Sequence, residues 1–568
     1  MPTTLPTFPV DEIPFSRRGA WFGLSMVTAM HRTATDVHLV SHVSGMHAIL
    51  SLRPEGSAFT VEATPAVLTW RREGAEVQAT FHSSSALRVR GRGAGMTAAD
   101  VSEELTPFTG SYLFRDPMDG SVVFTSYESG RRYRLTVLRG TVELTGVEAL
   151  GSGRRALTVR AASGDEDWEF AIEEYDNGRA PYRTDESFDT IAEGNGREFQ
   201  AYLDAVAGWR TSATPAAALA TYVLWSATVA PAGFLTRESV LMSKHWMDKV
   251  WSWDHCFNAL ALAPGLAREA LDQFLIPFDH QAESGALPDS VTHSEVLYNF
   301  VKPPIHGWAL RRLRALVAIG TDELNEIYNR LAEWTRFWLR TRTAPGRNLP
   351  HYQHGNDSGW DNSTMFDRDR VVEAPDLAAF LLVQLDTLAD LADELERGEG
   401  DFWRSERGRM QTALMTELHD EDGFFAVGPL SGARSKRQSL LLLLPVVAAA
   451  GFDPEVQEQL AAGIKSHLTE WGPATEPVQS PDYEADGYWR GPIWAPSTVL
   501  IEDGLRRAGF TDIADEVSAR FRALCERSGF AENFDARTGE GLRDRAYTWT
   551  ASAYLLLASE AAARAGEQ

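Results

Sequence analysis

Two cysteines in 568 residues, Cys256 and Cys525, leave no room for a disulfide framework and show no paired metal spacing, which points to a reducing compartment. The amino-terminal stretch MPTTLPTFPVDEIPFSRR has no basic region followed by an apolar one, so no signal peptide is expected. Long hydrophobic runs are missing too. The longest, Leu440 to Phe452, contains Pro445 and is too short to span a bilayer, so it reads as a buried helix. Positive charge is scarce, 54 Lys and Arg against 79 Asp and Glu, a net −25 with a pI near 5.0. That balance argues against nucleic acid or an anionic membrane as partner. Several catalytic signatures are absent, including HExxH and the GxSxG elbow. His351 and His354 stand near Asp357 but without a histidine triad, and Asp482, Glu484 and Asp486 lack the rest of a calcium loop. No metal or cofactor is expected. The expectation is a cytoplasmic protein, a monomer or small homo-oligomer.

What is present is a long globular chain, 44% hydrophobic and 23% charged, too large for one ordinary core. From about Phe15 to Tyr175 short alternating runs separated by glycine turns predict antiparallel strands. They fall at 37–43, 47–53, 66–72, 85–91, 121–127, 131–139, 141–147 and 155–161. Their spacing fits a β-sandwich. The run GRGAG at 91–95 precedes no βαβ unit and reads as a turn. Beyond about residue 196 the pattern is helical. Leu377, Leu381, Leu385, Leu388, Ala392 and Leu395 form one apolar stripe, with Pro375 and Asp376 suited to its first turn. About a dozen such helices without a long strand suggest a closed helical toroid, and a solenoid would need a fixed repeat that is missing. The expected division is a sandwich over 1–178, a linker with a helix over 179–212 and a helical catalytic domain over 213–568.

Three of the 17 tryptophans precede residue 200, and the other 14 lie in the helical part, many in polar loops. Tryptophan is most often core. Beside carboxylates and glycines in loops, though, its flat ring suits the apolar face of a pyranose while carboxylates and amides take the hydroxyls. Four junctions show this pairing. Trp251-Ser-Trp253-Asp254 is the first. Leu287-Pro-Asp289 followed by Lys302-Pro-Pro-Ile-His306-Gly-Trp308 is the second. The third is His354 to Phe366, with Asp357, Gly359, Trp360 and Asp361, a run too rich in Gly, Asn, Asp and Ser to propagate a helix. Tyr488-Trp489-Arg490 through Trp494 is the fourth. A fifth stretch, Ala531-Glu532-Asn533-Phe534-Asp535 with Trp549 beyond it, adds a carboxylate among apolar residues, where burial raises a pKa or demands partners.

WSWD, KPPIHGW, GNDSGWDNSTMF, GYWRGPIW and AENFDARTG-to-YTWTA stand in the order and spacing that resemble glycoside hydrolase family 63, over about residues 235–565. The resemblance implies a mainly α protein, an (α/α)6 barrel often preceded by a β-sandwich, hydrolysing α-glucosidic or α-mannosidic bonds with inversion. It implies Asp361 as general acid and Glu532 as general base, with Trp251, Trp253, Asp254, Trp360, Trp489, Arg490 and Trp494 lining the sugar pocket. The same reading takes Lys302, His306, Trp308, Asp357, Gly359, Tyr488 and Trp549 as further substrate-binding positions. Inversion suits two carboxyls on opposite faces of the sugar and needs no metal. The expected substrate is a small α-linked saccharide or glycoside cut by an exo-acting enzyme. Lys302, Arg543 and Arg545 raise an acidic aglycone as a hypothesis. Alternatives are a trehalase- or debranching-type α-glycosidase, an α-mannosidase, a phosphorylase on the same toroid, or a sugar-binding relative without catalysis.

Overall fold

The computed structural model describes residues 5–102, 111–147 and 154–566, so the first four residues of the stretch read for a leader lie outside it. The chain forms two compact units that interleave in sequence. The first comprises Met1–Ala205, Thr221–Asp248 and Thr292–Ser294, and the second Val206–Ala220, Lys249–Val291 and Glu295–Gln568.

Unit one is built on two antiparallel sheets. One has six strands, in the spatial order Phe22–Ala29, Arg32–Ser41, His47–Pro54, Met96–Asp100, Ala156–Arg160 and Thr141–Thr145. The other has eight: Thr60–Ala63, Leu68–Arg72, Ala75–Ser83, Ala86–Arg92, Asp167–Tyr175, Arg132–Arg139, Val122–Thr125 and Tyr112–Arg115. Strands such as Met96–Asp100 alternate buried and half-buried side chains, the signature of one face turned inward. Those inner faces meet across Phe22 and Phe81, whose rings lie 5.3 Å apart, and through the Ser41 hydroxyl, which donates to Glu174 at 2.8 Å. All eight strands expected from the alternation are present. The turn read at GRGAG ends the strand Ala86–Arg92 and is made at Gly93, whose φ is +74°.

Two helices follow the sheets, α1 (Phe188–Val206) and α2 (Ala217–Ala227). Unit two then holds α3 (Asp254–Leu262), α4 (Ala267–Asp279), α5 (His306–Leu316), α6 (Thr321–Thr341), α7 (Pro375–Glu394) and α8 (Gly400–Glu417). After the segment Leu440–Gly451 come α9 (Pro454–His467), α10 (Ala495–Arg507), α11 (Thr511–Ser528) and α12 (Thr548–Gly566). Leu440–Gly451, expected as a regular helix, winds instead as a tight 3₁₀ segment. Pro445 inside it lacks an N–H and would clash with the carbonyl four residues back in an α-helix.

Neighbouring segments of unit two close on themselves. α3 packs on α5, α5 on α7, α7 on Leu440–Gly451, that segment on α10, α10 on α12, and α12 back on α3. A solenoid, open at both ends, has no such return. These inner segments are buried nearly all round, as all of α3 and most of α7 are, whereas α8, α9 and α11 bury one stripe and face water with the rest.

Candidate active site

Nearly every singled-out residue lies at or just before the amino-terminal end of an inner segment. Trp253 and Trp494 occupy the residues capping α3 and α10, Asp254 opens α3, and Trp549 lies in the first turn of α12. Lys302 sits just ahead of α5, and Asp361 sits in the loop before α7. Glu532 lies in the segment leading to α12. Helix amino termini offer unpaired N–H groups and a positive end, and irregular loops there free side chains for a ligand.

Tryptophans form a continuous wall. Trp360 stacks on Trp489 at 4.6 Å, and Trp489 on Trp494 at 3.9 Å, nearly parallel. Trp549 stands edge-on to Trp494 at 5.4 Å, and Trp253 edge-on to Trp549 at 6.0 Å. Edge-on pairs such as Trp253–Trp549 and Trp494–Trp549 are a favoured aromatic geometry. Around it four buried polar atoms have no hydrogen-bond partner in the protein: Asp254 Oδ2, Trp489 Nε1, Glu532 Oε1 and Asn533 Nδ2. Such atoms are rare and costly in a folded chain.

The carboxyls are tuned by one another and by one ammonium. Lys302 Nζ lies 3.2 Å from Asp289 Oδ1 and donates to the Asn356 carbonyl at 2.8 Å. Burial works to lower its pKa, but Asp361, Asp289 and Asp254 outweigh it and hold it above its ordinary value. Burial pushes Asp254 up to about 7, opposed by Lys302 and reinforced by Asp289 and Asp361. Asp361 is partly open to the cavity it lines. It is nevertheless enclosed enough that burial raises its pKa, with Asp289 acting in the same direction and Lys302 and His354 opposing. Glu532 is pushed up to about 8 by burial and then by Asp544, against Arg543 and a hydrogen bond from Tyr488, with Asp361 adding a smaller upward push. Asp361 and Glu532, 171 positions apart in sequence, are thus brought within electrostatic reach of each other.

Other expected binders are engaged elsewhere. Asp357 is buried and accepts from the Val301 N–H at 3.1 Å, the Gln353 N–H at 2.8 Å and Arg342 at 2.8 Å. His306 Nε2 donates to the Ser252 carbonyl at 2.9 Å inside a cage of Phe274, Phe278 and Trp334, where burial lowers its pKa to about 4. The Trp308 indole donates to Asp503 on α10. Arg490 donates to the Asn362 carbonyl at 2.7 Å and pairs with Asp367. Trp251 is half-buried in a two-residue strand paired with Ser290 and Val291. Gly359, with φ +72°, passes against the Trp253 ring. Of the three cations read as aglycone candidates, Lys302 is held as described, Arg543 pairs with Asp486, and Arg545 donates to the Ser528 carbonyl at 3.0 Å. Sequence reading passed over Tyr547 and Asp544, which act on Glu532, over Asn533 next to it in the chain, and over Arg368 and Arg370. The last two line, with Asp361, His354 and Arg490, a cavity of about 400 Å³. Asn533 adjoins a flagged carboxylate and was within reach of the sequence. The arginines carried no local signal.

Among the described residues no group of three or more His, Cys, Asp or Glu side chains is disposed to hold a metal ion, and no helix is long and apolar enough to cross a membrane.

Residues 247–550, more than half the chain, match the family model of the mannosylglycerate hydrolase MGH1-like glycoside hydrolase domain. The chain belongs to that family, within glycoside hydrolase family 63, and is a glycosidase. It is 27% identical over 403 residues to the mannosylglycerate hydrolase of Rubrobacter radiotolerans, covering 54% of this chain and 89% of that one. To the glucosylglycerate hydrolase of Mycolicibacterium hassiacum it is 22% identical over 436 residues, covering 57% and 94%. Its fold is like that of the family 63 mannosylglycerate hydrolase of Thermus thermophilus solved with glucose, with a TM-score of 0.53 and 22% identity over 60% of this chain and 99% of that one. A bacterial glucoamylase solved with acarbose is similar over 99% of this chain and 96% of its own, with a TM-score of 0.62 and 11% identity, so the likeness in fold includes the amino-terminal sheets.

Proposed function

We propose that the protein is an inverting, exo-acting α-glycosidase that releases one hexose from a small glycoside, with Asp361 as general acid and Glu532 as general base. The closed cycle of inner segments supports reading the helices as an (α/α)6 barrel. The observation that carries the reading is a buried carboxyl, Glu532, and a half-buried one, Asp361, together with orphaned polar atoms beside a tryptophan wall. A pyranose brings a flat apolar face for the indoles and hydroxyls for Asp254, Asn533 and the Trp489 N–H. Asp361, whose pKa burial and Asp289 raise, gives its proton to the glycosidic oxygen. In its ionised form, which Arg543 and Tyr488 favour, Glu532 takes a proton from the water that attacks C1 from the opposite face. Each proton transfer is worth roughly 10²–10⁴ in rate.

Relatives named for mannosylglycerate and glucosylglycerate hydrolysis support a glycosyl-glycerate as substrate. The cavity beside Asp361, lined by Arg368 and Arg370, is where an acidic aglycone would lie. The test is a panel of 2-O-α-mannosyl- and 2-O-α-glucosyl-glycerate, their glycerol counterparts and trehalose, with the first-formed anomer followed by NMR. A β-hexose released by wild type, and turnover lost in Asp361→Asn and Glu532→Gln, is expected. An α-hexose, or unchanged turnover in both variants, refutes the assignment. Activity that depends on added phosphate would instead make the protein a phosphorylase.

A further inference from the structure

Tyr488 and Arg543 are non-glycine residues with left-handed backbone, φ +63° and +62°. Among the described residues only His31, Ala58 and Glu396 share that feature, and Tyr488 and Arg543 are the ones that meet. A side chain in this region is strained and persists only where its surroundings fix it. What fixes these two converges on Glu532. The Tyr488 hydroxyl faces the Glu532 carboxylate and, as a donor, favours its ionised form. Its carbonyl accepts from the Trp494 indole at 2.8 Å, and its ring stands edge-on to Trp494 at 4.9 Å. The Arg543 guanidinium lies 4.9 Å from the centre of the Tyr488 ring. It pairs with Asp486 at 2.6 Å, donates to the Asp486 carbonyl at 3.3 Å and donates to Asn533 Oδ1 at 3.1 Å. One guanidinium therefore grips the residue after Glu532, the residue two before Tyr488, and the Tyr488 ring.

We propose that Arg543 is a positioning residue for Glu532, acting through Tyr488 and Asn533, and takes no part in recognising the aglycone. The proposal rests on Glu532 being the base. Both terminal nitrogens of Arg543 already bond within the protein, and a cation at that distance from an aromatic face is attracted to it. Asp361, Tyr488, Arg543, Asp544 and Tyr547 are the titratable groups facing Glu532. Of these Arg543 supplies positive charge, and Tyr488 the hydrogen bond to the ionised form. Losing either leaves the base harder to ionise and less well aimed.

The experiment compares Arg543→Gln, Arg543→Lys, Arg543→Gly and Tyr488→Phe in the full chain. The readouts are kcat, KM and the pH profile of kcat/KM on 2-O-α-mannosyl-glycerate and its neutral glycerol analogue, or the glucosyl pair if that is the pair turned over. Arg543→Gln and Tyr488→Phe should move the acid limb upward by up to about one pH unit. They should also cost about tenfold to a hundredfold in kcat with KM little changed, equally for acidic and neutral aglycones. Arg543→Lys should restore the limb more than the rate, since it returns charge without the fork of donors. Arg543→Gly removes the left-handed strain, so it keeps the test alive if Arg543→Gln does not fold. An unmoved limb with KM raised for the acidic aglycone alone overturns the proposal in favour of aglycone recognition. An unmoved limb with unchanged kcat overturns it outright. Full turnover in Glu532→Gln would instead overturn the underlying assignment of the base.

Discussion

The side-chain amide of Asn362 hydrogen-bonds the backbone on both sides of Tyr488: Oδ1 accepts the Trp489 N–H at 3.0 Å, and Nδ2 donates to the Gly487 carbonyl at 3.0 Å. The residue after the proposed acid thus fastens the loop that carries the tryptophan wall and the tyrosine bound to the proposed base. Asn362→Ala breaks both bonds and leaves two backbone groups to find other partners, a loss of about 1–3 kcal/mol. Because the loop holds Trp489 and Tyr488 rather than merely folding, kcat/KM should fall further than melting temperature alone would suggest. Asn362→Asp should fall between Ala and wild type, since its carboxylate still accepts the Trp489 N–H but cannot donate to the Gly487 carbonyl. Steady-state kinetics with a thermal melt on each variant check this, and an Asp variant as active as wild type would refute the two-sided bond.

A carboxyl that must be ionised to act as base, and whose pKa is raised to about 8, makes activity fall as pH drops through that value. The acid limb of kcat/KM is therefore expected far above the ordinary glutamate value of 4.5. Asp544 is the largest charge pushing Glu532 upward, so Asp544→Asn should move the limb toward lower pH and raise relative activity near pH 6. The opposite displacement is expected when Arg543 is lost. The two carboxyls influence one another, so the limbs belong to the pair. A limb that stays in place in Asp544→Asn would remove Asp544 from the base's environment.

Much of this arrangement is legible in the chain. Eight of the strands declare themselves by alternation, and the five tryptophan-bearing junctions mark the loops that the inner helices project toward one another. Asp361 and Glu532 stand out because each carboxylate lies in a run that can neither continue a helix nor bury a charge without partners. What was not legible depends on contacts distant in sequence. Asp357 looks as eligible as Asp361 until Arg342 and two backbone N–H groups are seen around it. His306 and Trp308 sit in a motif with the look of a binding loop, yet their rings point into the packing of α5 against its neighbours. Arg543 reads in the sequence as a candidate for an acidic aglycone, and its pairing with Asp486, 57 positions away, has no local signal. Leu440–Gly451 has helical hydrophobicity, and Pro445 turns it to the tighter winding.

The Asp357 arrangement yields a stability prediction separable from catalysis. Its carboxylate is buried, and removing it leaves the Arg342 guanidinium without its anion, beneath which lie the Phe337 and Trp338 rings. Breaking a buried pair by deleting one partner costs about 3–5 kcal/mol. Asp357→Ala should therefore lower the denaturation midpoint strongly, while Asp361→Asn should leave it nearly unchanged and abolish turnover. Denaturant titration of both variants against wild type tests the contrast. Equal stability of Asp357→Ala and wild type would show that Asp357 is not the anchor of the loop.

Gly359 offers the sharpest separation of strain from collision. Its φ of +72° is left-handed, and a Cβ built there would lie 2.5 Å from Trp253 Cζ2, inside van der Waals contact with a ring that has little freedom between Phe257 and Trp549. Gly346, also in unit two, has φ +79° and nothing within 4 Å of the same added atom. Both alanine variants incur the backbone cost of a left-handed residue, about 1–2 kcal/mol. Gly359→Ala alone must move Trp253, and with it the start of α3 at Asp254. A displacement of that order in a binding wall costs up to about a hundredfold in rate. Gly346→Ala should lose stability and keep kcat/KM, whereas Gly359→Ala should lose both. Tryptophan fluorescence and near-ultraviolet circular dichroism should change in Gly359→Ala and not in Gly346→Ala. Parallel losses of activity in the two variants would mean that Trp253 is not fixed by Gly359.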